Sequence, residues 1–233
     1  MAFKTFGELQ AEVQADLDLE AEEFINGIEF QNYFNSGIRR VEAEIIKLGL
    51  REQYLKDEAF VSTVQGQKDY ALPTDIIDTK IRKIVFRDGT NIYTVHPIRG
   101  ESSYEEEDIV NITPSATDRH AFDIIKTSSD WVLRLVPTPT KAVANALRIL
   151  YFKDLNRFTA STDECDVPEY CYEYLLSYVR YRCYKKEGHP NTLEEKEELG
   201  DHLITMRETL QGQISDPDID LVDKDFTHYE EMN

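Results

Sequence analysis

The spacing of apolar residues changes twice along this chain, and that change limits the possible folds more than any other feature does. Over residues 27–48 the apolar positions recur every three or four residues, which is the period of an amphipathic helix: Phe30, Phe34, Ile38, Val41, Ile45 and Leu48. Gly49 follows at a place where a left-handed residue commonly ends a helix. A shorter helix is predicted over residues 5–17, because Thr5 and Glu8 have the spacing of a capping box.

Residues 59–155 have a different character. Turn-forming sequences separate runs rich in β-branched and aromatic residues, which is typical of strands: AFVSTV, KIRKIVF, NIYTVHPI, FDIIKT, WVLRLVP and ALRILYF. Asp88-Gly89 lies between two of these runs and predicts a hairpin. The stretch ESSYEEEDIVN, residues 101–111, predicts a short surface helix.

Helical spacing returns after residue 165. Asp166 and Glu169 have capping-box spacing, with Pro168 in the first turn, and the helix that follows has one apolar face: Tyr172, Leu175, Leu176, Val179 and Cys183. Thr192 and Glu195 predict the start of a last helix that ends near Gln211. Helical spacing carries this helix through Leu193, Lys196, Leu199, Leu203, Met206 and Leu210.

These patterns predict an α+β fold in which a helical body of about four helices carries a β-rich insertion between its N-terminal and C-terminal helix pairs. The expected divisions are residues 1–55 for the first helices, 56–158 for the β-rich insertion and 159–212 for the closing helices. Residues 213–233 lose the helical period and predict an acidic extended tail.

The charge of the chain argues against nucleic-acid binding. It has 26 basic and 45 acidic residues, a formal net charge of −19 at pH 7, and the basic residues form no single stripe in the sequence. Affinity for DNA comes largely from Lys and Arg side chains that displace counterions from phosphates. We therefore expect a protein that does not bind DNA.

No export or membrane signal is found in the sequence. It has no run of about 18 uncharged apolar residues, and the start MAFKTFGELQ lacks the apolar core and cleavage site of a signal peptide. We expect a protein that is made in the cytoplasm and has no membrane partner.

Motifs of catalysis and of metal binding are missing from the sequence. Asp216, Asp218 and Asp220 alternate as calcium ligands do, but Leu221 stands where the loop needs Gly and Thr227 where it needs Glu. The five histidines lie far apart, and the three cysteines lack the CxxC spacing of zinc and redox sites: Cys165, Cys171 and Cys183. We expect no catalytic residue, no cofactor and no metal, and therefore no enzyme.

Two segments are candidates for binding a partner. The first is a stripe of tyrosines in the predicted helix after residue 168: Tyr170, Tyr174, Tyr178 and Tyr181. This stripe fits a helix packed on both sides by its own chain, and it fits equally well a tyrosine-rich face bound to another subunit. The second is the acidic tail, in which four apolar residues suit docking by strand addition or groove filling: Ile219, Leu221, Val222 and Phe226.

The order of elements and four phrases together resemble the head-to-tail adaptor (connector) proteins of tailed bacteriophages. The phrases are GQKDYALPTDI, WVLRLVPTP, LRILYFKDL and CDVPEYCYEYLLSYVRYRCYKKEG, and the resemblance covers about residues 5–210. It implies a ring of copies, typically twelve, in the virion neck, which binds the portal protein and tail or nozzle proteins. It also implies a channel through which DNA passes without specific binding.

The resemblance gives two short segments structural roles. It implies a strand-turn-strand entry for Gly66, Tyr70, Leu72 and Pro73, and a rigid strand exit for Pro137 and Pro139. Two other functions fit the sequence: an intracellular peptide- or protein-binding module that uses the β insertion, and a hydrolase whose site is assembled from distant acids.

Overall fold

The computed structural model describes residues 3–17, 25–88, 91–98, 121–128 and 130–212. The fold is α+β: N-terminal helices precede a seven-stranded sheet, and C-terminal helices follow it. The chain forms two compact units, a helical unit (Met1–Leu50 with Leu155–Asn233) and a sheet unit (Arg51–Asp154).

The described part of the helical unit contains four long helices: α1 (Phe6–Asp16), α2 (Gly27–Lys47), α4 (Tyr172–Glu187) and α5 (Thr192–Gly212). The predicted capping box of α1 is confirmed, because the Glu8 backbone N–H donates to Thr5 Oγ1 and the Thr5 N–H donates to Glu8 Oε2. The predicted end of α2 is also confirmed, since Gly49 has a φ of +77°, a conformation that glycine adopts without steric cost.

The other two predicted capping boxes are wrong. Asp166 Oδ1 accepts a hydrogen bond from the backbone N–H of Asn156, at 2.9 Å, and a 3-10 turn (Glu169–Cys171) leads into α4 without a side-chain cap. Thr192 lies inside α5 as its first residue, and its hydroxyl donates to the carbonyl oxygens of Tyr184 and His189. In both places the side chain that the local pattern assigned to a cap bonds backbone groups that precede it in the chain.

An aromatic cluster lies at the centre of the helical unit. The ring of Phe158 stacks on Phe6 at 5.0 Å between centroids and meets Phe34 edge-on at 6.1 Å. Asn35 fixes the backbone of Phe158 on both sides, accepting from its N–H at 2.8 Å and donating to its carbonyl oxygen at 3.0 Å. Residues 155–158, which begin two positions after the end of the last strand, thus pack with the helices.

A short helix, α3 (Arg51–Tyr54), begins the sheet unit, and seven strands follow: β1 (Lys56–Thr63), β2 (Asp69–Ala71), β3 (Ile76–Asp88), β4 (Asn91–Pro97), β5 (Ala121–Lys126), β6 (Trp131–Val136) and β7 (Val143–Lys153). Their order in the sheet is β1-β7-β3-β4-β5-β6-β2. All neighbours are antiparallel except β4 and β5, which pair in parallel over two residues.

The six predicted strand runs are confirmed, and so is the pairing of β3 with β4 across the predicted hairpin, with Asp88 opposite Asn91. The turn residues 89–90 and the predicted surface helix at 101–111 lie outside the described residues. One face of the sheet buries the core of this unit: Tyr70, Ile84, Phe86, Val95, Phe122, Leu133, Leu135, Ala146, Leu147, Ile149 and Tyr151.

The strand-turn-strand entry before β2 has the expected geometry. Gly66 has a φ of +79°, and its N–H donates to the carbonyl oxygen of Pro139 at 3.0 Å. The ring of Tyr70 is buried, and its hydroxyl donates to the carbonyl oxygen of Gln67 at 2.9 Å. The turn is therefore closed by bonds at both ends and holds β2 against β6.

Candidate interaction surfaces

Two of the four stripe tyrosines are buried inside the helical unit. The Tyr178 ring lies beside two guanidinium groups, with Arg40 Cζ at 4.9 Å and Arg182 Cζ at 5.9 Å from its centroid, and Arg182 donates to its hydroxyl at 2.9 Å. Tyr174 is equally buried, whereas Tyr170 and Tyr181 are half-buried. Binding of a partner by this stripe stays a prediction.

Close packing explains why α4 carries so many rings. Gly37 on α2 faces Leu175 and Tyr178 on α4, and the missing side chain lets the two helices approach. Burial raises the pKa of the Tyr174 hydroxyl, and Arg40 opposes that rise. The Tyr172 hydroxyl donates to the carbonyl oxygen of Cys165 at 3.2 Å, and burial raises its pKa to about 12. These rings hold the helical unit together.

The predicted last helix is present as α5, but the residues whose spacing predicted it are not its buried face at the start, where Leu193 and Lys196 are exposed. Leu193 is 73% exposed, while Glu195 is buried and accepts hydrogen bonds from Arg180 Nε at 3.1 Å and from Ser177 Oγ at 3.2 Å. Arg180 also binds Asp16 at 2.7 Å, so one guanidinium links α1, α4 and α5. This ion-pair network turns Glu195 inward, in line with Met206 and Leu210 further along the helix.

A face of α5 that points away from the core carries apolar residues. Leu193, Gly200 and Ile204 are spaced seven and four residues apart, so they share one side of the helix. Leu193 and Ile204 are both exposed, and a Cβ added at Gly200 would meet nothing within 4 Å. We call these three residues the α5 outer face.

Arg207 ties α5 to α2 through a bidentate ion pair. Its Nε and Nη2 donate to the two carboxylate oxygens of Glu44 at 2.6 and 2.8 Å. The hydrogen bonds from Arg207, opposed by partial burial, hold the pKa of the Glu44 carboxyl below its ordinary value of 4.5. The pair remains ionised at neutral pH and fixes one side of α5.

The outward side of β1, β7, β3 and β4 is basic although the chain is strongly acidic. Side chains of a strand alternate between its two faces, so the buried positions Ile84 and Phe86 on β3 set Lys83, Val85 and Arg87 outward. Register places Phe60, Arg148 and Val85 side by side on three adjacent strands. We define this basic sheet face by six outward residues: Lys56, Phe60, Lys83, Arg87, Ile92 and Arg148.

Sequence reasoning missed the basic sheet face. Phe60 and Ile92 are large apolar side chains on the solvent side of their strands, 53% and 63% exposed. The strand KDEAFVST could have indicated it, because Phe60 is two and four residues from the charged Glu58 and Lys56 and therefore lies on the same face of the strand. The cations come from three strands far apart in sequence, so only the sheet register brings them together.

A groove lies beside β2, the last strand at its end of the sheet order. Its lining includes Pro73, Thr79 and Trp131, and Trp131 is partly exposed. Two consecutive residues on its β3 side have positive φ angles, Asp78 at +48° and Thr79 at +57°. Such backbone is costly for residues with a side chain. Asp69, Asp78 and Asp130 also line the groove, and the first two form ion pairs with Arg134 and Lys80.

The cysteines lie in the core of the helical unit. Cys165, Cys171 and Cys183 are free and buried, and burial raises their pKa values to about 11, 12 and 12. A thiol with such a pKa is a poor nucleophile and a poor metal ligand at neutral pH.

The described ranges contain neither a cluster of metal-binding side chains nor a helix that could span a membrane. Within them, no group of three or more His, Cys, Asp or Glu residues could hold a metal ion. None of the helices in that part of the chain has the length and apolar character needed to cross a bilayer. The tail residues predicted to bind a partner, Ile219, Leu221, Val222 and Phe226, lie outside the described residues.

The chain is similar to a known protein family. The family model described as SU10 adaptor protein matches residues 4–217 of the 233. No curated protein matches the chain. The matched segment contains every helix and strand described above, in both units.

Proposed function

Because the chain belongs to the SU10 adaptor protein family, a family of phage head-to-tail adaptors, we propose that it is a structural protein of the virion neck. Copies of the chain form a ring between the portal and the tail, and the ring leaves a channel for passage of the genome. The family match supports this proposal most directly, because it spans both units rather than one. The proposed place is the virion, after synthesis in the host cytoplasm.

The proposed partners are the portal protein, tail or nozzle proteins, and further copies of the chain. A closed ring needs a surface on each copy that binds a different surface on the next. The α5 outer face is suited to one side of such a contact, because exposed Leu193 and Ile204 flank Gly200, where a neighbouring backbone can approach closely. A ring of twelve is the number that the resemblance implies.

The proposed role requires binding and shape, with no catalytic residue, metal or cofactor. Ion pairs between helices of the helical unit support it. The Arg180 network joins three helices, and the Arg207–Glu44 pair joins α2 to α5. A subunit that bears load between a capsid and a tail benefits from such cross-links, because each one removes a mode of sliding between helices.

The net charge supports passage of DNA without binding. At −19 per copy, a ring of this chain carries a strongly negative field, which repels phosphates over about 8–10 Å at physiological salt. We propose an acidic channel wall. Replacement of channel acids by amides would test this, and unchanged DNA passage would contradict it.

A peptide-binding module is the second candidate function, and the groove beside β2 favours it. An extended peptide could add to the β2 edge, with partly exposed Trp131 as an apolar contact and Asp130 as a carboxylate that attracts a basic segment. A stable monomer that binds a basic peptide, and loses it on Trp131→Ala, would favour this function over the ring.

Size-exclusion chromatography of the chain with and without its portal tests the proposed function. We expect the chain to elute with the portal as a complex. The double variant Leu193→Asp, Ile204→Asp should fold normally, because both side chains are exposed, and should reduce the number of chains bound. Wild-type chain that never elutes with the portal would contradict the proposal.

A further inference from the structure

The basic sheet face has a charge opposite to that of the rest of the chain. Four cations point outward from it, Lys56, Lys83, Arg87 and Arg148, against one carboxylate on the same face, Glu58. Arg148 Nε donates to the Glu58 carboxylate at 2.7 Å, so this carboxylate neutralises Arg148 and not the other three cations. The local net charge is thus about +3 by this count, in a chain whose total is −19.

The centre of the face is apolar. A shallow depression there is lined by Phe60, Val85 and Ile92 together with Arg87, Arg148, Asn145 and Ala146. Arg87 lies directly opposite Ile92 in the β3–β4 register, so a cation stands beside an exposed aliphatic side chain. A DNA backbone is bound by cationic and polar groups, so the apolar side chains of Phe60 and Ile92 would gain no contact with it. The face therefore suits an acidic polypeptide that also carries apolar residues.

Residues 215–233 of this chain have that composition. They contain Ile219, Leu221, Val222 and Phe226 among seven acids, Asp216, Asp218, Asp220, Asp223, Asp225, Glu230 and Glu231, with Lys224 as the single cation. Fully extended, the 21 residues after Gly212 would reach about 70 Å. That length is enough to reach a neighbouring copy.

We propose that residues 215–233 of one copy bind the basic sheet face of a second copy. The apolar tail residues fill the depression around Phe60 and Ile92, and the acids pair with Lys83, Arg87 and the cations near them. In a ring each copy offers one tail and one face, so every tail can bind the next copy and every face is covered. The inference rests on the proposed ring and adds the surface that receives the tail.

This contact has a consequence for DNA passage. The tail carries more negative charge than the basic sheet face carries positive charge, so binding reverses the sign of the face. Once covered, the face no longer offers cations to a passing duplex.

Cysteine cross-linking in full-length chains assembled on the portal tests the inference. A chain with Ile92→Cys and one tag is mixed with a chain with Leu221→Cys and another tag, and a short bis-maleimide is added. We expect a product that carries both tags. The native cysteines should not react, because they are buried and their pKa values are raised. Val64→Cys, exposed on the same unit, replaces Ile92→Cys as the matched control.

Charge reversal gives a second readout. Lys83→Glu with Arg87→Glu should reduce the two-tag product at least about tenfold, since two charge-assisted contacts are lost. Replacement of Asp218, Asp220 and Asp223 by Lys in the partner chain should restore it. No product with Ile92→Cys, or equal product with Val64→Cys, overturns the inference.

The remaining outcomes separate this inference from the proposed function. Rings on the portal without the cross-link contradict the sheet-face contact and leave the ring intact. A chain that carries both Ile92→Cys and Leu221→Cys can also cross-link to itself. If the cross-link forms only within such single chains, the partner is the same copy and not a second one. Duplex DNA that binds the tailed chain, and is released by Arg87→Glu, shows nucleic acid as the occupant instead. If neither a ring nor a cross-link forms, both proposals are contradicted.

Discussion

Gly37 lies so close to Leu175 that α2 has no room for a side chain at this position. A Cβ built on Gly37 would stand 2.5 Å from Leu175 Cδ1 and 3.0 Å from a ring carbon of Tyr178. The contact joins α2 to α4, and the Tyr178 ring that takes part in it also lies beside Arg40 and Arg182. The absence of a side chain at Gly37 therefore allows α2 and α4 to pack at this short distance.

We expect Gly37→Ala to destabilise the helical unit by about 1–3 kcal/mol, because the added methyl group overpacks the interface. The matched control is Gly200→Ala on α5, where nothing lies within 4 Å. There alanine should stabilise the helix by up to about 1 kcal/mol. Urea unfolding followed by far-ultraviolet circular dichroism measures both, and equal effects of the two variants would contradict the close packing.

Phe158→Ala should remove the centre of the aromatic cluster and cost about 3–5 kcal/mol. Phe60→Ala, at an exposed phenylalanine, should cost less than about 0.5 kcal/mol. Helical circular dichroism reports on the helical unit, and fluorescence of the single tryptophan, Trp131, reports on the sheet unit. A helical transition unchanged by Phe158→Ala would show that the cluster does not hold the helices.

The ion pair between Glu44 and Arg207 should make stability depend on pH. The folded pKa of Glu44 lies below the unfolded value, so the contribution is fully present above about pH 4.5 and is lost as the pH falls through the folded pKa. Both side chains are partly exposed, so we expect a coupling of about 1 kcal/mol at pH 7. A double-mutant cycle of Glu44→Gln and Arg207→Met measures it, and a coupling that persists unchanged at pH 2 would contradict the assignment.

The three native thiols should not react with Ellman's reagent at pH 8 while the chain is folded. Burial raises their pKa values to about 11 or 12, so only about one thiol in a thousand or fewer is ionised at that pH. All three should react after unfolding in guanidinium chloride. Ile92→Cys serves as the positive control and should react at once, since this position is exposed. Rapid labelling of the native chain would show that the core around Cys171 opens easily.

Local patterns predicted most elements of the fold. The period of α2, the capping box at Thr5 and the six strand runs are all present, because each depends on residues near one another in sequence. Phe158 joins the helices through Asn35, 123 residues away, and Glu195 turns inward through Arg180. No local rule gives such contacts. A glycine inside the strong period of α2 could have indicated close packing at Gly37.

The candidate surfaces were harder to predict than the fold. Tyr174 and Tyr178 have the same helical spacing whether their rings pack inward or against a partner, so only burial places them in the core. The basic sheet face arises from the order β1-β7-β3-β4, which brings Arg148 beside Phe60 from 88 positions away. Sheet order depends on the whole chain, and the alternation of a single strand does not reveal it.

Electron microscopy of the chain mixed with the portal protein of the same genome tests the central claim most directly. The account predicts portal particles capped at one end by a closed ring of this chain, twelve copies by the resemblance, with an open channel along the axis. Bare portal particles beside free single chains, when both proteins are present at high concentration, would contradict it.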